Sequence, residues 1–221
     1  MKRLYNALQL KKLYFLKGLG YEYSEPIAEF KEAEVKLPND LNQLKNIVKE
    51  CYLCDLSKSR KNIVFGEGNP NTNLMFVGEA PGATEDEKGR PFVGRAGELL
   101  TKMIENVLNI KREDVYIANI VKCRPPNNRV PTPKEALTCK PYLEKQIEII
   151  KPKLIVALGS TAYRYLTNDT TPISQVRGNF FKSDDIMILP TFHPSFLLRN
   201  PTSKKEAYID MLKVKEFLEK L

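Results

Sequence analysis

Leu74-Met75-Phe76-Val77, followed by Gly78-Glu79-Ala80-Pro81-Gly82, reads as a short central strand that ends in a tight loop. Beyond the loop, Ala96, Leu99, Leu100, Met103 and Val107 recur at helical spacing, so the loop joins a strand to a core-facing helix. The same unit repeats along the chain. Val115-Tyr116-Ile117-Ala118 delivers Asn119 to its carboxyl end; Leu154-Ile155-Val156-Ala157-Leu158 runs into Gly159 and a helix from Ser160; Ile186-Met187-Ile188-Leu189 delivers Pro190 to Ser195. Between them, Thr132-Pro133-Lys134-Glu135 has the spacing of a capping box with proline at the first helical position, opening a helix that buries Ala136, Cys139, Leu143, Ile147 and Ile150. The last helix carries Ala207, Met211, Val214, Leu218 and Leu221 on one face, and Gln175-Val176-Arg177-Gly178 turns into an edge region. Strands alternating with helices predict an α/β fold, a three-layer α/β/α sandwich with a mainly parallel central sheet. Such sheets bind ligands beyond the carboxyl ends of their strands, where Glu79, Glu85, Asn119 and His193 are expected to converge.

The 221 residues suit one domain at 41–221, preceded at 1–40 by a basic helix and a linker with six acids. Lys and Arg number 35 against 27 Asp and Glu, for a net charge of +8. Residues 1–20 hold Lys2, Arg3, Lys11, Lys12 and Lys17 and no acid, so the remainder is only mildly basic. A second cluster, Lys111, Arg112, Lys122, Arg124, Arg129 and Lys134, is the better candidate for a surface contacting a polyanion backbone. Leu4, Leu8, Leu10, Leu13 and Tyr14 make the first helix amphipathic, able to lie on a membrane, a partner or the protein's own body. Its segment Gln9 to Leu16 loosely resembles peptides that dock on a sliding clamp, with the spacing off by one. No apolar run is long enough to span a bilayer, and lysines interrupt any signal-peptide core, so the expectation is a cytoplasmic protein without membrane contact.

His193 is the only histidine, held in a loop stiffened by Pro190 and Pro194 at a strand end. Glu79 and Glu85 are carboxylates without an obvious packing task. In a reducing compartment, Cys51-x2-Cys54, Cys123 and Cys139 read as metal ligands or buried thiols, with zinc the default from spacing alone.

Four stretches then carry a resemblance in order and at matching spacing: residues 78–82; Gly89-Arg90-Pro91-Phe92-Val93-Gly94; Asn119-Ile120-Val121-Lys122-Cys123-Arg124-Pro125-Pro126; and His193-Pro194-Ser195. Together with the four cysteines they resemble the family 4 uracil-DNA glycosylases over residues 43–221. That resemblance implies a monofunctional enzyme of base excision repair, which flips deoxyuridine out of single- or double-stranded DNA and hydrolyses its N-glycosidic bond. Phe92 would stack on the base. Asn119 would accept from uracil N3–H and donate to O4, a pattern cytosine does not present. Backbone N–H groups around Gly78, Glu79 and Ala80 would hold the other acceptor. His193 would donate to uracil O2 as negative charge leaves with the base. Glu79 or Glu85 would position water or oppose the sugar cation, and Glu85 could instead block the thymine methyl. Other branches carry Asp or Asn where Ala80 stands, which removes a side-chain base from that position.

The resemblance also implies a structural [4Fe–4S] cluster on Cys51, Cys54, Cys123 and Cys139. Phe196-Leu197-Leu198-Arg199-Asn200 resembles the loop that wedges into the duplex, with Leu198 and Arg199 as its DNA contacts. A monomer is expected, because base flipping needs one open face. The rival reading is a DNA-binding module without catalysis, its cysteines holding zinc. A nucleotide-using enzyme is disfavoured by the absence of a phosphate-loop motif.

Overall fold

The computed structural model describes residues 2–21 and 36–221, with side chains at 10–21 and 36–221. The chain forms two compact units, Met1–Leu37 and Pro38–Leu221. In the first, helix α1 spans Lys2–Gly18, and its Leu10, Tyr14 and Phe15 are exposed. The segment likened to clamp-docking peptides, Gln9 to Leu16, falls on this helix; Gln9, at its start, lies outside the described side chains, as do most linker residues.

The second unit is built on a six-stranded sheet: β1 (Glu67–Gly68), β2 (Leu74–Gly78), β3 (Tyr116–Asn119), β4 (Leu154–Leu158), β5 (Phe181–Ser183) and β6 (Ile186–Thr191). Their order is β1-β3-β2-β4-β6-β5, with the four central strands parallel and both edge strands antiparallel. Strands β2, β3 and β4 are buried along their whole length, as their apolar runs require. Successive side chains point to opposite faces, so two helical layers must cover them.

On one face Leu74, Phe76, Ile117, Leu154, Val156 and Leu158 pack in one core with α4 (Arg95–Met103), α8 (Pro194–Arg199) and α9 (Lys204–Leu218). On the other lies α5 (Pro133–Ile150), whose Gln146 reaches the Tyr116 hydroxyl; α2 (Leu41–Lys49) packs on α5, and α6 (Ser160–Thr167) touches β4 and β2. The short helices α3 (Ala83–Lys88) and α7 (Ile173–Val176) complete the unit. The fold is α/β with a mostly parallel sheet, as the sequence predicts.

The capping box of α5 is present in full: Thr132 Oγ1 accepts from the Glu135 N–H and Glu135 Oε2 accepts from the Thr132 N–H. Its buried face is rotated from the expected one, taking in Tyr142 and Gln146 and leaving Ile147 half-buried. A polar residue won a core position because its amide is fully engaged, as described below. The stripe through α4 also shifts. A π-helical turn at Ile104–Leu108 inserts an extra residue, so Ile104 and Leu108 enter the core and Val107 only flanks it. Leu221 lies past the end of α9 and is exposed. The expected basic surface is corrected as well: Lys122 is buried, Arg112 is bound to Glu67, and Arg129 is bound to Glu135. Neighbouring cations in sequence were parted because the strand-end turn after Asn119 points Lys122 inward.

Candidate active site

Strand register assembles the site. Gly78 lies opposite Asn119, Val77 opposite Ala157, and Leu158 opposite Thr191, so the carboxyl ends of β3, β2, β4 and β6 line up. The chain leaves β2 for β3 on one side and returns to β4 on the other, which opens a crevice at the switch point. A cavity of about 600 Å³ fills it, walled by Glu79, Ala80, Glu85, Phe92, Asn119 and His193, with Arg199 at its edge. Gly78 stands behind this wall, and Leu198 lies off it.

Asn119 is 1% exposed, and its Oδ1 is buried without a hydrogen-bond partner. An unpaired buried acceptor is costly, and because Asn119 lines the cavity, a ligand held there can supply the missing donor. Gly78 is required beside it. A Cβ there would fall 2.4 Å from Asn119 Oδ1 and 2.5 Å from Phe92 Cζ. Phe92 itself sits at φ +50°, a conformation few bulky residues adopt, and its carbonyl packs so tightly on Gly97 that a Cβ would lie 1.9 Å away. The ring is 5.7 Å from that of His193, so both aromatic walls belong to one pocket.

The Ser195 N–H donates to His193 Nδ1 at 3.1 Å, and the Ser195 hydroxyl lies 2.8 Å from the same nitrogen. A backbone donor can only meet a lone pair, so the neutral ring carries its proton on Nε2. Burial, reinforced by the Arg199 cation and opposed by Glu85, brings the His193 pKa down to about 4. The folded protein therefore binds this proton only below about pH 4, whereas the unfolded chain binds it below about 6.5. The associated stability is complete above pH 6.5 and is lost as the pH falls toward 4. As the sole histidine, His193 gives one imidazole signal by NMR, expected to titrate near 4, and Arg199→Gln should move that midpoint upward; a midpoint near 6.5 in the folded protein would contradict the enclosed neutral ring.

The two carboxylates differ. Glu85 Oε1 accepts from the backbone N–H groups of Val93 and Gly94, at 2.9 and 2.8 Å, where α4 begins. Glu85 is thus a clasp that closes the loop against a helix N-terminus. Glu79 has one oxygen held by the Thr161 hydroxyl of α6 and keeps the other for the cavity. Thr161 and Ser195 hold the Glu79 and His193 side chains; Thr161 carries no signal in the sequence, and Ser195 was legible only as part of the His193 motif. Asn128 and the exposed Val130 were missed: with Arg129 of the expected basic cluster they border the cavity, beside a bidentate Arg129 to Glu135 contact at 2.7 and 2.8 Å.

The α8 segment is a packed helix at Leu197, which is 1% exposed, while Phe196 stacks on Phe192 at 4.9 Å and still borders the cavity. Arg199 is exposed at the mouth.

All four cysteines line a second, small cavity, and none is in a disulfide. No three of them meet in the geometry of a single metal ion among the described residues. Arg60 Nη1 donates to Cys123 Sγ at 3.4 Å, and the Lys122 N–H donates to Cys139 Sγ at 3.3 Å. Burial raises the thiol pKa of Cys54 and Cys123, and that of Cys139 to about 12. Without a positive centre these groups would stay protonated.

The model of the Uracil DNA glycosylase superfamily matches residues 65–213, which hold every residue named on the strand-end cavity and, of the four cysteines, Cys123 and Cys139. A type-4 uracil-DNA glycosylase of Saccharolobus solfataricus is 47% identical over 188 residues, covering 81% of this chain and 87% of the relative. One from Thermotoga maritima is 50% identical over 177 residues, 78% of this chain and 92% of its own. A type-5 uracil-DNA glycosylase of Pyrobaculum aerophilum is 31% identical over 144 residues and covers 58% of this chain. With the strand-end cavity and its residues in place, the chain belongs to the uracil DNA glycosylase superfamily, and within it to the type-4 enzymes.

Proposed function

We propose that the strand-end cavity carries out uracil excision from DNA, with Asn119 reading the base, Phe92 stacking on it, neutral His193 stabilising the departing anion and Glu79 acting at the sugar. The single observation that carries this reading is the buried, unpartnered Oδ1 of Asn119. Uracil N3–H supplies the missing donor, while cytosine N3 is an acceptor and would leave Oδ1 unpaired. As the glycosidic bond breaks, its electron pair goes to the base, and charge builds on uracil O2. The His193 Nε2–H is preorganised to meet it without a proton first being removed from a charged ring. Glu79, positioned by Thr161, orients the water that attacks the sugar carbon and offsets the cationic character there. Glu85 supports this from behind, through its hold on residues 93 and 94. Leu198 and Arg199 contact DNA at the mouth, where the Arg199 cation suits a phosphate.

Cys51, Cys54, Cys123 and Cys139 would hold a [4Fe–4S] cluster, which when bound supplies a cross-link between the residue 51–54 turn, the segment after Asn119 and α5. Four sulfurs on one cavity, two of them already receiving N–H donors, fit that group. A cluster with one thiolate on each iron spreads its ligands wider than a single ion does.

The test is an oligonucleotide with one deoxyuridine, treated with alkali after incubation, beside matched cytosine and thymine controls. Breakage at uracil alone is the expected result; binding without breakage would return the site to a DNA-binding module. Gly78→Ala probes the pocket wall. Its methyl must displace Asn119 or Phe92, so excision should fall about a hundredfold, the cost of a misplacement of about 1 Å, with melting temperature recorded alongside.

A further inference from the structure

We propose that Lys122 is the counter-ion of an anionic thiolate centre and, through the same ammonium group, the anchor of the base-reading residue Asn119. The inference rests on the reading that the four cysteines hold a cluster. Among the described residues, the buried charged side chains are Asp86, Lys122, Glu135 and Asp210. Asp210 pairs with Arg177, Glu135 pairs with Arg129, and Asp86 accepts from the Lys61 and Asn62 N–H groups. Lys122, 1% exposed, donates from Nζ to the Asn119 carbonyl at 2.9 Å and to Gln146 Oε1 at 2.6 Å, both neutral. A buried ammonium needs an anion nearby.

That anion lies on the other side of the residue. Lys122 precedes Cys123, and its own N–H donates to Cys139 Sγ. Lys122 and Arg60 are both among the residues that line the cysteine cavity, and among the described residues no carboxylate lines it. Four neutral thiols do not call for two cations, whereas four thiolates outweigh the positive charge of a cluster core and do.

The second role follows from Gln146, which is fully buried and held by its Nε2 donating to the Phe65 carbonyl at 3.0 Å and to the Tyr116 hydroxyl at 3.1 Å. Its Oε1 is thereby turned to Lys122, and Lys122 to the carbonyl of Asn119. Cys139 and Gln146 lie seven residues apart on one face of α5, so one helix face grips both ends of the link between thiolate centre and base reader.

The test compares Lys122→Met, Lys122→Arg and Gln146→Leu with wild type, all purified anaerobically. Iron and sulfide content, the rate of iron release to a ferrous chelator, the midpoint potential and uracil excision are measured. Lys122→Met is expected to release iron about 10–100-fold faster, as lost outer contacts do, and to show a more negative potential, because the lost cation favoured the reduced centre. Lys122→Arg should stay near wild type in both. Gln146→Leu keeps the charge and should slow excision while leaving iron release unchanged. Release and potential unaltered in Lys122→Met would overturn the counter-ion role, as would equal acceleration in Gln146→Leu, which would indicate packing. If Lys122→Met does not accumulate folded, Lys122→Gln reads the same charge. Wild type without iron and sulfide would sink the cluster reading instead; if it carries zinc, zinc release replaces iron release in the same comparison.

Discussion

Asn119→Asp is expected to lower kcat/KM for uracil by about 10³ or more and to erase most of the discrimination against cytosine. Asn119 is held at the end of β3, with Gly78 and Phe92 packed against its amide, so a substituted side chain cannot swing away. Aspartate keeps an acceptor for N3–H but places a second oxygen where an amide N–H should meet uracil O4. Two acceptors then face each other in a buried site. Sites built on hydrogen bonding discriminate by roughly 10⁴–10⁵ for this reason. Cytosine carries an amino group at the same position and would gain a partner. Rates on paired deoxyuridine and deoxycytidine oligonucleotides check this, and an Asn119→Asp enzyme that keeps wild-type selectivity would show that the base is read elsewhere.

His193→Ala is expected to reduce kcat by about 10²–10³ with little change in KM, because its contact strengthens only as charge develops on the base. The loss should be uniform from pH 5 to 8, since the wild-type ring remains neutral down to about pH 4. A histidine working as an imidazolium would instead give a wild-type rate rising below pH 6.5 as the ring takes its proton. His193→Gln retains an N–H donor and should recover part of the rate, whereas Ser195→Ala, which keeps the backbone donor to Nδ1, should cost far less than either. Single-turnover rates across pH distinguish these outcomes. A rise in KM with kcat unchanged would mean that His193 serves ground-state binding.

Much of this was determined by sequence alone. The short all-apolar runs of β2 and β4 suit strands of a parallel sheet, and the capping box at Thr132 sets where α5 begins. Gly78 and Asn119 end their strands and His193 follows one by two residues, so parallel pairing had to bring them to one edge. Local chemistry and period carry this information, because backbone geometry is decided within a few residues.

Other features were decided only by the tertiary structure. Two glutamates six residues apart beyond one strand end are equivalent as letters. One became a clasp and the other kept an oxygen for the cavity, because the segment entering α4 offers Glu85 two free N–H donors and α6 offers Glu79 a hydroxyl. Lys122 read as part of a basic surface, and the chain turned it inward, where Gln146, 24 residues on, receives it. Neither periodicity nor charge counting reports such pairings. They depend on which distant groups remain unsatisfied once the strands and helices have packed, and burial makes each unsatisfied donor or acceptor costly enough to choose its partner.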